Sequence, residues 1–247
     1  MVTIEVLCAV AAALGLAGSF FLRRVSAWVA AGLLIGGLAA IAYAVAMTGS
    51  GAAFRVYYAL GASMFPGLVG AGCCWLAFDS RTARWPSLFV LLLCLAQLAL
   101  TLPAQVNPAG LAALYGGNGA GVLVMGPWVI PTVLFNTFGL GFALVSALAA
   151  WWRAFRGQEA RMAALAIGLS VVVLGILARS DGVYQALSQV GGRSAFPLLD
   201  AVAFALVWLG ALATRALIGP LSRAALQSAA REFGCATAEG KGRNDEG

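Results

Sequence analysis

Apolar residues in this chain come in long unbroken runs, and polar residues come in short clusters between them. The runs show neither the two-residue alternation of a half-buried strand nor the single apolar stripe of a helix on a water-soluble protein. Their length matches membrane-crossing helices, since about 20 residues at about 1.5 Å each span the ~30 Å hydrocarbon core. Seven runs qualify: residues 3–22, 28–47, 54–78, 85–101, 127–151, 162–177 and 196–218. The pattern predicts an all-α, polytopic integral membrane protein, with residues 1–218 folded as a seven-transmembrane-helix bundle. From Gly219 the composition changes abruptly. LSRAALQSAAREFG has the spacing of a short amphipathic helix, and TAEGKGRNDEG has the composition of a disordered end to a tail covering 219–247.

The polar punctuation refines this picture. The first run has Glu5 before its core and Arg23–Arg24 after it. That is the reverse of a secretory signal, so the expectation is a retained helix with its N-terminus outside. Gly32 and Gly36 stand at GxxxG spacing in the second run, which suits a close helix contact. The third run carries Arg55, Tyr57 and Tyr58 at its outer end and Pro66 near its middle, where a proline kinks a helix. Asp79 to Arg84 reads as a compact charged loop, and Gln97 is the one strongly polar side chain of the fourth run. The connection from Leu102 to Met125 is the longest, with Pro103, Pro108 and the glycine-rich stretch from Tyr115 to Gly121. It lacks the Lys-Ser/Thr of a phosphate-binding loop, and is expected to form a surface flap or a half-inserted segment. The fifth run holds Pro131 one turn in and Asn136 near mid-depth, and it ends in Trp151, Trp152 and Arg153. The seventh carries Pro197 and Asp200 near its outer end.

Charge sets an orientation. Twelve of the 15 basic residues are expected on one side: those after the first run, between the third and fourth, between the fifth and sixth, and from Arg215 onward; the other side holds only Arg55, Arg179 and Arg193. Because Lys and Arg concentrate in cytoplasmic loops, the expected topology is N-terminus out, C-terminus in, in the cell membrane. Trp28, Trp75, Trp85, Trp151 and Trp152 sit where an aromatic belt would face the inner interface.

Composition closes off other classes. Of 247 residues, 62% are hydrophobic and 10% charged, and the mean hydropathy is +0.94. Soluble domains have about 25% charged residues, and disordered chains are polar. The net charge of +6 is spread over short loops, so no nucleic-acid partner is expected. Cys8, Cys73, Cys74 and Cys94 lie within apolar runs without metal-ligand spacing, as small buried hydrophobes do.

The chain has no histidine, and its one lysine, Lys241, lies in the tail. Histidine-based catalysis, bis-histidine haem and histidine-held metal are thereby excluded, as is a retinal Schiff base within the bundle. The seven-helix resemblance to microbial rhodopsins therefore stops at topology. The Pro-Gln signatures of seven-helix sugar transporters are also missing. Asp200 and Glu5 are the only acids within runs, so no carboxylate cluster is expected. No catalytic residue, cofactor or metal is assigned. The candidate binding residues are Asn136, Asp200, Arg55, Tyr57, Tyr58, Gln97 and Pro131, because polar groups at membrane depth usually face the bundle interior. Arg55 and Asp200 are candidates for an ion pair. Plainer roles exist for each: Asn136 as an interhelical clamp, Asp200 as a partner for free N–H groups at a helix start, the tyrosines as interface anchors.

The expected function is non-enzymatic: binding or passing a small apolar or amphipathic, lipid-like molecule in the outer half of the bundle, as a sensor or carrier does. The alternative is a structural or accessory subunit assembled with other membrane subunits. Membrane lipids are partners in either case.

Overall fold

The computed structural model describes residues 3–115, 124–157, 160–178 and 195–214. All regular structure among the described residues is helical, as a hydrocarbon solvent requires, because a helix satisfies its backbone hydrogen bonds internally. In order these are α1 (Ile4–Leu22), α2 (Ala27–Ala46), α3 (Gly51–Ala77), α4 (Ser80–Thr101), the short α5 (Pro108–Tyr115), α6 (Ile130–Phe155), α7 (Ala160–Ala178) and α8 (Ala195–Thr214). Six of them (α1, α2, α3, α4, α6 and α8) are long and apolar enough to cross a membrane. The apolar stretch of α7, Met162–Ala178, is shorter.

Capping side chains set where the helices begin. Ser26 Oγ accepts from Val29 N, and Ser50 Oγ accepts from Ala53 N, so α3 starts three residues ahead of the expected Phe54. The stretch 79–84 is not a loop. Asp79 accepts from the backbone N–H of Arg81 and of Thr82 and from the Thr82 hydroxyl, and this N-cap starts α4 at Ser80. Those bonds, the Thr82 hydroxyl foremost, hold the Asp79 carboxyl below its ordinary value. At the other side of the bundle, the connection after α4 contains α5, opened by Asn107 Oδ1 accepting from Ala109 N. A backbone bond from Asn107 N to Val124 O draws its two arms together. Residues 116–123, 179–194 and 215–247 lie outside the described set, so the glycine run, the polar connection before α8 and the tail helix do too.

Glycines decide how closely the helices approach. A Cβ on Gly15 of α1 would lie 2.7 Å from the Gly37 Cα of α2. Gly70 of α3 and Gly139 of α6 meet backbone to backbone, as do Gly168 of α7 and Gly210 of α8. The GxxxG pair serves two neighbours: Gly32 seats Val69 of α3, while Gly36 seats the ring of Phe204 from α8. Phe204 also meets Phe65 edge-on at 5.0 Å. With α2, α6 and α4 around it, α3 is the most buried of the long helices, at 78% of its window.

The contacts fix relative directions. Gly67, Gly70 and Cys74 of α3 meet Phe135, Gly139 and Ser146 of α6, so these helices run parallel. Gly18 and Phe21 of α1 meet Trp208 of α8, and Cys8 shares a cluster with Tyr43, which meets Phe196 of α8, so α1 and α8 also run the same way. Residues 3 and 214 therefore sit at opposite ends. The end holding Leu22 and Ala77 carries Arg23, Arg24, Arg81, Arg84, Arg153 and Arg156, with Arg153 Nη1 donating to Ala77 O at 2.6 Å. Trp85 and Trp152 are exposed there as belt residues are. Trp75 and Trp151 are half-buried, and their indole N–H groups donate to Ser87 Oγ and Ser170 Oγ, which ties α3 to α4 and α6 to α7.

Candidate functional site

The site is built around an irregularity in α3. Pro66 has no N–H to offer the carbonyl four residues back, and its ring crowds that carbonyl. The chain ahead of it widens into a π-helix over Tyr58–Met64, and Phe65 N bonds to Leu60 O, five residues back. Ser63 copies that spacing with its side chain, whose Oγ donates to Tyr58 O at 3.2 Å. Such π-segments are uncommon and are frequent at functional sites.

Three helices place polar groups around this segment. From α6, Thr132 Oγ1 lies 2.8 Å from Ser63 Oγ, and both hydroxyls are buried. On α4, Gln97 and Thr101 are fully buried, with Gln97 Nε2 donating to Thr101 Oγ1 at 2.7 Å. Cys94, one turn earlier, packs with Met64 and Phe135, and Leu102, one turn later, is held by Arg55. Gln97 is thereby placed opposite the π-segment. On α8, Asp200 is buried between Phe196, which packs on Tyr43 and Tyr57, and Phe204, which packs on Phe65. That places Asp200 at the same level on another side of α3. Thr132, Gln97 and Asp200 thus mark three sides of one polar layer.

Toward the end of the bundle that holds Ser50, the layer is walled by aromatic rings. Tyr43 and Tyr57 lie 4.7 Å apart, Tyr43 and Phe196 5.7 Å, and Phe54 stacks on Tyr58 at 6.1 Å. Ala104 and Leu111 from the long connection, with Val124 and Met125 from its far arm, bury themselves against this nest. The described part of that connection is a cover over the nest. Beside it an open groove of about 350 Å³ is lined by Gly51, Ala52, Arg55, Pro103, Ala104, Gln105 and Val106. Ala104 belongs to both the groove and the nest.

The seven sequence candidates fare differently. Tyr57 and Tyr58 lie at the start of the π-segment, and Gln97 and Asp200 are buried on the helices beside it. The two tyrosines are buried, so they are not interface anchors. Arg55 stands at the groove, where Nη1 donates to Leu102 O at 2.9 Å and to Ala104 O at 3.4 Å. Its guanidinium caps the carbonyl end of α4 instead of reaching Asp200. Asn136 lies one turn beyond Thr132 on α6, half-buried and outside the Ser63–Thr132 contact. Pro131 falls in the first turn of α6, and its side chain is outside the described set. Sequence reasoning missed Tyr43, Ser63, Thr101, Thr132 and Phe196. The only signal for Ser63 and its neighbours was Pro66, read as a kink.

Rings provide an apolar wall, and among the described residues the buried layer holds neutral hydrogen-bonding groups and one acid, Asp200. Comparison of the chain with protein-family models, curated proteins and solved structures gives no match.

Proposed function

We propose that this chain is a seven-helix protein of the cell membrane, N-terminus outside and C-terminus cytoplasmic, that binds or passes a small apolar or amphipathic molecule in the outer half of the bundle. The carrying observation is the polar layer of Ser63, Thr132, Gln97 and Asp200 around a π-helical segment, roofed by Leu111, Val124 and Met125. Buried polar groups at membrane depth are costly and mark sites more often than lipid-facing ones do. The arginine-rich end supports a cytoplasmic assignment, and on that reading the groove and its cover face outside. In this account the ligand enters past Arg55 and Ala104, lays its body along Tyr43, Tyr57 and Phe196, and sets its polar end in the layer.

A second reading is favoured by one specific feature. Glycine contacts such as Gly70–Gly139 fill the bundle tightly, and α4 leaves Leu91, Leu92 and Leu95 exposed. An accessory subunit would use that apolar face to meet another membrane protein. Native mass spectrometry of the protein, gently extracted from its own membrane, separates the two. A retained small molecule that is lost in a Tyr43→Ala variant supports binding. Co-purifying membrane subunits with no retained molecule support the alternative.

A further inference from the structure

Gln97 is fully buried, and half of its amide has no partner. Nε2 donates to Thr101 Oγ1 at 2.7 Å, while Oε1 accepts nothing. Exchanging the two amide atoms does not remove the deficit: Oε1 would then accept from Thr101, and the NH₂ group would be left without an acceptor. Among the described residues one other buried polar side-chain atom shares this condition, Trp208 Nε1. That indole stacks on Phe21 near the arginine-rich end, away from the polar layer. Gln97 instead lies on the same buried stripe as Thr101 and as Cys94, which packs with Met64 of the π-segment.

We propose that the Gln97 amide is a hydroxyl-binding position inside the bundle. An O–H group donates to Oε1 there. A hydroxyl both donates and accepts, so it completes the amide in either orientation, and it adds no charge at a depth where charge is expensive. The O–H group comes from one of two sources, an ordered water or the alcohol end of an amphiphile. The second source rests on the binding function proposed above, whereas the first does not.

The test uses the full chain, deuterated and carrying ¹⁵N-glutamine, in vesicles of chain-deuterated phosphatidylcholine, with the Gln97 side-chain signal assigned through its link to Ala96. Proton magnetisation is passed to that nitrogen from water, and in a second sample from the C1 methylene protons of added 1-dodecanol. Transfer from water identifies an ordered water; transfer from 1-dodecanol, and not from the terminal methyl protons of dodecane, identifies an alcohol. Either supports the position. No transfer from water, together with either no transfer from 1-dodecanol or equal transfer from 1-dodecanol and dodecane, overturns it. Where the alcohol is the source, Gln97→Leu is expected to retain 1-dodecanol about tenfold less well, the loss of one buried hydrogen bond. The wild-type measurement stands by itself if that variant does not fold. Water transfer with no retained amphiphile would leave this position standing while removing the binding function.

Discussion

Among the described residues, the contact between Ser63 and Thr132 joins α3 to α6 at the level of the π-segment, and its removal has a calculable effect. Thr132 Oγ1 lies 2.8 Å from Ser63 Oγ, and Ser63 Oγ lies 3.2 Å from Tyr58 O. Each hydroxyl proton is used once if Thr132 donates to Ser63 and Ser63 donates to Tyr58 O. Ser63→Ala removes both bonds, at about 0.5–1.5 kcal/mol each. It also leaves the Thr132 hydroxyl, buried at 5% exposure, to turn toward its own helix. The expected loss is thus about 1–3 kcal/mol. Thr132→Val keeps the shape and removes one bond, for about 1 kcal/mol. Because the variants share a bond, the double variant should fall short of the sum. The coupling should lie between the ~0.6 kcal/mol average and ~1.7 kcal/mol maximum measured between membrane helices. Reversible unfolding in dodecyl maltoside–SDS mixtures reads all three variants. A coupling within about 0.2 kcal/mol of zero, or a Ser63→Ala protein as stable as the parent, would refute the bonded layer.

Three further outcomes follow from the packing and the caps. A Cβ on Gly139 would run into Pro66 and Gly67 backbone, whereas one on Gly141 meets nothing. Gly139→Ala should therefore cost about 1–3 kcal/mol in the same unfolding assay, and Gly141→Ala should be neutral or stabilising by up to about 1 kcal/mol. Arg55→Met releases the carbonyls of Leu102 and Ala104. Amide exchange across Leu102–Val106 should then quicken by about tenfold, while exchange in the middle of α2 stays as it was. The Asp79 carboxyl is held below its ordinary value of 3.8 by Thr82 and by backbone N–H groups. Its contribution to stability is present above that value and is lost as pH falls through the depressed one. Unfolding compared at pH 6 and in the acid range below 3.8 should show this loss in the parent and not in Asp79→Asn.

Much of the architecture was legible because lipid restricts the choices so severely. Long apolar runs have to become helices, and six of the expected spans correspond to helices long and apolar enough to cross a membrane, while the run at 162–177 meets the shorter apolar helix Met162–Ala178. The ends were less legible. Asp79 looked like part of a charged loop because its arginines are hydrophilic, yet a carboxylate two and three residues ahead of free N–H groups starts a helix whatever follows. Half of the site could be read from single residues, since Gln97 and Asp200 are conspicuous in apolar company. The rest could not, because serine and threonine are common in membrane helices and announce nothing alone. Ser63 and Thr132 become a pair only when Gly70 and Gly139 bring α3 and α6 together. The tyrosines misled for a related reason. An aromatic residue near a span end usually anchors at the interface, but here α5 and Met125 cover that end and bury it. The register change of the π-segment likewise depends on Pro66 together with the helices packed around it.

The most direct measurement is an experimental map of the full chain in a nanodisc of its native lipids. Elongated non-protein density running from beneath Leu111 and Met125, along Tyr43 and Tyr57, to the layer of Gln97, Ser63 and Thr132 is the predicted result. A nest closed by protein side chains alone, with lipid confined to the outside of α1, α4 and α6, would contradict the account.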